Sequence, residues 1–166
     1  MSSTIADRVE AMALKVEVQR ATAATGLPST AQLTAWARAA WQAPRRAGEV
    51  VVRLTDVDES RRLNHDYRGK DRPTNVLSFP FEPPPQVEMT HVGDLVLCAP
   101  VIAEEAHEQG KSTEAHWAHM VVHGMLHLQG HDHESDAQAA AMERLETEIL
   151  TGLGYPAPYM DDETKT

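Results

Sequence analysis

The pattern of apolar and polar positions predicts four β-strands along the chain. Leu14 to Val18 alternates strictly between apolar and polar residues, which is typical of a strand with one buried face. Glu49 to Thr55 and Val92 to Cys98 are rich in β-branched and apolar residues. Asn75 to Phe81 predicts a further strand. Pro80 restricts it to an edge of the sheet, or itself lies at the end of the strand, because proline donates no ladder hydrogen bond.

Helical spacing of apolar residues and recognisable helix ends predict about five helices. Thr30 to Trp41 is amphipathic. Pro100 is placed for the first turn of a helix that Gly110 ends. Ser112 and Ser135 occupy N-cap positions for two further helices, the first of which carries most of the histidines.

The remaining helix is short and follows the second strand. Asp56, with Glu59 three residues later, has the pattern of a capping box in its Asp form. Gly69 is placed to end this helix in a left-handed conformation. Within it we expect Leu63 and Tyr67 to pack inward.

The order of these elements predicts a single α+β domain over residues 1–166, with about four strands in one mixed sheet packed against about five helices. The tail from about residue 156 is Pro-rich and then acidic, and we expect it to be loose. The first residues lack the apolar core of a signal peptide, and no apolar run approaches the roughly 20 residues that cross a membrane.

Charge and cysteine content narrow the classes of function. The net charge of −10 argues against a general nucleic-acid coat. Residues 45–72 nevertheless carry eight basic and six acidic side chains, whereas the rest of the chain has a net charge of −12. This segment is either a mixed solvated surface or a local basic patch. The single cysteine, Cys98, excludes an internal disulfide, fits a reducing compartment, and is more typical of a core residue than of a ligand.

The segment from His116 to His133 holds six of the nine histidines. On a helix, four of them fall on one face: His116, His119, His123 and His127. Apolar residues cover most of the remaining surface of that helix, which is typical of a buried helix. The histidines are therefore expected to line a dry interior or a cleft.

The spacing H-x3-H-x5-H can hold one transition metal and leave a coordination position open. His123 and His127 are the firmest ligands, and Gly130 suits a turn that returns the chain to them. His131 and His133 compete for the third place. Zinc is the default metal for three imidazoles, although nickel and manganese also accept them. The fold prediction thus includes a metal site at a central histidine helix of a metal-dependent hydrolase domain.

Four motifs resemble the YbeY family of bacterial endoribonucleases, the rRNA maturation factors. They are LNHDYRGKDRPTNVLSFPFE, GDLVLC, EAHWAHMVVHGMLHLQGHDH and MERLETEILTGLGY, and together with their order they extend the resemblance over almost the whole chain. The resemblance implies one zinc ion per chain, held by His123, His127 and His133. It also implies catalytic roles for His123 and Arg68. Without the resemblance, Arg68 is more typical of a solvated cation near a helix end.

The resemblance further implies a cytoplasmic, zinc-dependent endoribonuclease that is specific for single strands. Such an enzyme acts in maturation of the 3′ end of 16S rRNA and in ribosome quality control. Its partners would be rRNA and the small ribosomal subunit, with ribosomal proteins or an assembly GTPase as further candidates and no membrane.

Two alternatives belong to other classes of protein. One is a zinc peptidase-like hydrolase, since H-x3-H-x5-H resembles the metzincin spacing, although Gly124 stands where H-E-x-x-H peptidases carry their glutamate. The other is a non-enzymatic ribosome assembly factor in which a structural metal only braces the fold.

Overall fold

The computed structural model describes residues 14–43, 46–87 and 89–159. The strands are β1 (Leu14–Ala21), β2 (Gly48–Thr55), β3 (Val76–Pro80) and β4 (His91–Cys98). The helices are α1 (Thr30–Ala39), α2 (Val57–Arg68), α3 (Ala99–Gln109), α4 (Thr113–Leu128) and α5 (Asp136–Gly152). In these ranges no helix is both long and apolar enough to cross a membrane.

The four strands form one mixed sheet in the order β1-β2-β4-β3. β2 runs parallel to both β1 and β4, whereas β3 runs antiparallel to β4. β3 lies at an edge and ends at Pro80, as the missing N–H of that residue predicts. The predicted α+β fold with one mixed sheet is confirmed.

Helix α4, which carries the histidines, lies at the centre of the molecule. It packs against β3, β4, α1, α3 and α5. Its apolar residues Trp117, Val121, Val122, Met125 and Leu126 are buried in one cluster with the inner faces of β2 and β4. The prediction of a central, buried histidine helix is confirmed, and burial of its apolar surface is what holds the helix on the sheet.

Most predicted helix ends agree with the structure. Ser112 caps α4 by accepting a hydrogen bond from the backbone of Ala115, and Ser135 forms a complete capping box with Gln138 at the start of α5. Gly110 ends α3 in a left-handed conformation, with φ of 66°. These ends depend on contacts within a few residues, which the sequence displays directly.

The predicted capping box of α2 is wrong. Asp56 is the N-cap residue, but its side chain makes no capping hydrogen bond and instead accepts one from the hydroxyl of Thr22. Glu59 pairs with Arg53 of β2, with Oε2 2.6 Å from Nε and Oε1 2.9 Å from Nη2. A bidentate pair with a guanidinium is stronger than the single bond from a backbone N–H that a capping box offers, so the carboxylate of Glu59 pairs with Arg53.

The predicted inward packing of α2 is correct only in part. Leu63 is half-buried, but Tyr67 keeps 70% of its surface exposed. The buried positions of this helix are the polar residues Ser60 and Asn64, whose side chains bond to the backbone of the loop before β3. Buried backbone groups of a loop need hydrogen-bond partners, so polar side chains are favoured at the helix positions that pack against it. Apolar periodicity alone does not indicate such positions.

The structure describes part of the predicted loose tail. Tyr159 is half-buried, and its ring lies 5.3 Å from that of His119, so this part of the tail is packed. Residues 160–166 lie outside the described part of the chain. So do Arg45 of the basic segment and residues 1–13, to which the prediction about a signal peptide refers.

Gly93 marks a point where two strands approach too closely for a side chain. A β-bulge shifts the register between β2 and β4 there, and Gly93 has φ of 155°. A Cβ at this position would lie 2.5 Å from the carbonyl oxygen of Phe79 and 2.7 Å from Leu128.

We therefore expect Gly93→Ala to lower the free energy of unfolding by about 1–3 kcal/mol, because the backbone of β3 cannot yield easily. Urea denaturation measures the change. Gly152→Ala is the matched control, since no atom lies within 4 Å of its added Cβ. That helical substitution should be neutral or stabilise by up to about 1 kcal/mol. Equal urea midpoints for the two variants would contradict the expected clash.

Candidate metal centre

Three of the predicted histidines meet at the end of α4. His123 and His127 lie one turn apart on the helix, and His133 follows on the next loop. Their ring centroids are 4.7 Å apart for the helical pair, 5.0 Å for His127 and His133, and 6.0 Å for His123 and His133. One nitrogen from each ring lies within 4.8 Å of the others. We call these three residues the histidine triad.

The turn after α4 aims His133 at the helix. Gly130 has φ of 96°, a conformation that favours glycine. The backbone N–H of His131 then donates to the carbonyl of Leu126 at 3.0 Å, which returns the chain toward the helix. The side chain of His131 points elsewhere, with Nε2 2.5 Å from Oε1 of Gln42. The geometry therefore groups His133 with the helical pair and leaves His131 outside.

A buried carboxylate, that of Glu146 on α5, supports the triad. Glu146 is 1% exposed, and its Oε1 lies 2.9 Å from Nδ1 of His123. Its Oε2 lies 2.5 Å from Nε2 of His119 and accepts the hydroxyl of Tyr159 at 2.7 Å. Because a carboxylate only accepts, Nδ1 of His123 must donate, which leaves Nε2 as the nitrogen free to bind a metal.

Glu146 lies within the motif MERLETEILTGLGY, but neither the motifs nor the histidine spacing indicated a role for it. A signal was nevertheless present, since Glu146 stands four residues after Met142 and four before Leu150. All three are buried on one stripe of α5. A charged residue on an apolar stripe is rarely buried without partners, so it predicts a buried polar contact.

The environment favours neutral imidazole and ionised carboxylate. Burial first, and then the nearby His123 and His133, lower the pKa of His127 to about 4. Burial alone would raise the pKa of Glu146, but hydrogen bonds from His119 and His123 outweigh it and lower that pKa to about 2. A neutral imidazole is the form that coordinates a metal, so the protein holds His127 ready at neutral pH.

A second group of possible ligands consists of His119, His123 and Glu146. Its N···O separations of 2.5 and 2.9 Å are hydrogen-bond distances. Ligand atoms around a tetrahedral zinc ion lie roughly 3.3 Å apart, given Zn–N bonds of about 2.0–2.1 Å. This group is therefore a hydrogen-bond network behind the triad.

The other candidate ligands, His116 and Cys98, lie outside the triad. His116 is buried with Nε2 2.9 Å from Oε1 of Glu105. Cys98 is buried at the end of β4, and burial raises the pKa of its thiol, which opposes the thiolate form that metals bind. Neither residue lies in a group of potential ligands within the described ranges.

A cleft of about 510 Å³ opens onto the triad along edge strand β3. Arg68, the last residue of α2, lines this cleft beside Tyr67, Asn75, Ser78 and Phe79. Residues that are 55 positions apart in sequence, Arg68 and His123, thus share one cavity. Such a volume is typical of a small-ligand site.

Within that cleft, the guanidinium of Arg68 has no carboxylate partner among the described residues. Arg53 and Arg61, in the same basic segment, pair with Glu59 and Asp71. Arg68 makes no such ion pair with any residue of the described ranges. Its guanidinium can therefore meet an anion without first breaking a salt bridge.

Gly124 lies where α4 touches the sheet. A Cβ there would be 2.8 Å from Cδ2 of Leu95 and 3.2 Å from Cγ2 of Val76. Any side chain at this position would force Leu95 to shift. Because the residue is glycine, the site lacks the general base that H-E-x-x-H peptidases place beside their first histidine.

The residues present fit one transition-metal ion. The triad supplies three nitrogen donors, of which His127 is neutral and His123 is oriented by Glu146. The cleft borders the remaining side, where an open coordination position belongs in a catalytic site.

Two comparisons relate the chain to known proteins. The family model described as Endoribonuclease YbeY matches residues 14–154. The solution structure of TM1509 from Thermotoga maritima resembles this fold with a TM-score of 0.55 and 26% sequence identity. That match covers 88% of this chain and 97% of the other.

Glu146→Gln tests the support behind His123. The amide is a weaker acceptor than the carboxylate and holds the ring less firmly, so we expect zinc affinity to fall about 10- to 100-fold. Competition with a chromophoric chelator measures the affinity. Glu105→Gln removes the equivalent carboxylate from His116, which lies outside the triad, and should leave zinc affinity unchanged. Equal affinities for the two variants would show that Glu146 does not position the ligand.

Proposed function

The chain belongs to the YbeY endoribonuclease family, and from this we propose that it is a zinc-dependent hydrolase of phosphodiester bonds in single-stranded RNA. Its proposed biological role is maturation of the 3′ end of 16S rRNA, with a further role in ribosome quality control. The observation that carries the proposal is the cleft that the histidine triad shares with Arg68.

In this proposal His123, His127 and His133 hold one zinc ion per chain. When bound, zinc supplies Lewis acidity, which activates water near neutral pH and polarises a phosphoryl oxygen. Glu146 keeps the His123 ring oriented by accepting a hydrogen bond from its Nδ1–H. Burial keeps His127 neutral, so no proton must leave this residue before it binds the ion.

Arg68 is proposed to stabilise the charge that develops on the phosphate. Its planar guanidinium matches two phosphate oxygens and stays protonated at any working pH. Lys70 and Arg72 follow shortly after α2, and we propose that they hold neighbouring phosphates. The basic segment then serves as a local RNA contact on an acidic body.

The acidic balance of the chain also bears on substrate selection. A net charge of −10 weakens binding to free RNA, whose backbone is itself negative. We therefore propose that rRNA is presented on the small ribosomal subunit in the cytoplasm. Ribosomal proteins or an assembly GTPase are the proposed docking partners, since protein contacts supply affinity that charge alone does not.

Two features disfavour the alternative functions. Gly124 stands where a peptidase carries its glutamate, and a Cβ there would already lie 2.8 Å from Leu95. A metal that only braces the fold is usually enclosed by four protein ligands, whereas His133 is exposed and the triad borders an open cleft.

His127→Ala tests the metal assignment and the reaction together. We expect the variant to keep its fold, lose stoichiometric zinc in elemental analysis, and leave 16S rRNA with unprocessed 3′ ends when cells carry it in place of wild type. His107→Ala changes an exposed histidine of α3 and should retain both zinc and processing. Stoichiometric zinc in the purified His127→Ala protein would contradict the ligand assignment.

Arg68→Glu tests the phosphate contact without removing a metal ligand. We expect zinc to stay bound and the rate of RNA cleavage to fall about 100-fold or more, as when a transition-state donor is lost. Arg62→Glu makes the same charge change on an exposed residue of α2 that does not line the cleft. If Arg68→Glu cleaved RNA as fast as Arg62→Glu, Arg68 would be only a surface cation.

A further inference from the structure

Tyr67 is a large aromatic residue whose side chain is mostly exposed to solvent. It is the most exposed of the large apolar side chains on the surface of the described residues, at 70%, whereas the next, Val87, reaches 47%. It also lines the cleft that contains the histidine triad and immediately precedes Arg68. An aromatic ring left open to solvent inside a polar cleft is available to bind a planar ligand.

A neighbouring ring supports Tyr67 from the sheet. Phe79 of β3 contacts it edge to face, with ring centroids 5.1 Å apart and an interplanar angle of 68°. Phe79 is half-buried, and its backbone is packed closely against Gly93. The tyrosine ring therefore rests on a fixed element, and holding it in place for a ligand costs little conformational entropy.

We propose that Tyr67 is a stacking platform for one unpaired base of the RNA substrate, next to the phosphate that Arg68 contacts. This inference rests on the proposed RNA-cleaving function and deepens it by naming a base-binding subsite. Tyr67 and Arg68 end the same helix and line the same cleft, so one nucleotide can meet both its ring and its cation. Base stacking on an aromatic side chain accepts any base.

The platform also accounts for a preference for single strands. In an RNA duplex both faces of each base are covered by its neighbours, so a protein ring has no face to contact. An unpaired base can leave its neighbours and lie on Tyr67. Strand selectivity then follows from access to the ring and needs no sequence-specific hydrogen bonds.

The test uses the full-length, zinc-loaded protein and a short single-stranded RNA that carries 2-aminopurine, a base analogue quenched on stacking. Stopped-flow fluorescence records binding before cleavage. Tyr67→Phe keeps the ring and should quench like wild type. Tyr67→Ala and Tyr67→Leu should lose the quenching and bind about tenfold more weakly, with KM raised and kcat little changed.

Two controls separate stacking from altered structure. Phe81→Ala removes another exposed aromatic ring, one that does not line this cleft, and should behave like wild type. The same RNA with an abasic nucleotide in place of the analogue should bind wild type about as weakly as intact RNA binds Tyr67→Ala. In Tyr67→Ala the ring is already absent, so replacing the base with an abasic nucleotide should weaken binding no further.

Wild-type quenching and affinity in Tyr67→Leu would overturn the proposal, because leucine keeps apolar volume but offers no aromatic face. Absence of quenching in the wild type would overturn it as well. The proposed function has a separate test, because it fails if the wild-type protein leaves RNA uncut. Quenching across the Tyr67 variants shows whether a base stacks on Tyr67, whether or not the RNA is cut.

Discussion

The candidate site depends on the hydrogen bonds that the buried carboxylate of Glu146 accepts. An anion removed from water is costly unless hydrogen bonds replace its hydration, and here His119, His123 and Tyr159 supply them. Those bonds join α4, α5 and the segment after α5 at one point. The same contacts that make burial of the charge tolerable also fix the orientation of a triad imidazole, so stability and site geometry share one cause.

Close approach between backbone elements sets the position of the cleft. α4 can lie against the sheet because Gly124 has no side chain to meet Leu95, and β3 can close on β4 because Gly93 has none to meet Phe79. β3 remains an edge strand, so the space beside it stays open between the end of α2 and the triad. The cleft is thus a consequence of where the sheet ends.

Much of the fold was predictable, and the errors share one origin. Strand alternation, the helix ends at Gly110 and Ser112, and the turn at Gly130 were all correct. The capping prediction failed at Asp56 because its carboxylate bonds to the distant Thr22, and the packing prediction failed at Tyr67 because no element of the described ranges covers most of its ring. A local capping pattern cannot show that a strand will offer a better partner, and apolar spacing cannot show which apolar residue is left exposed.

Local sequence was sufficient to predict the strands and helices, the central histidine helix and the pairing of His123 with His127, because these follow from contacts within a few residues of each other. The family motifs favoured His133 over His131 as the third ligand and added Arg68 as a candidate. The packing of the whole fold was needed to show that Arg68 shares a cleft with the triad and that Glu146 lies behind it. Those relations join residues far apart in the chain, and packing of a whole sheet and its helices is what brings them together.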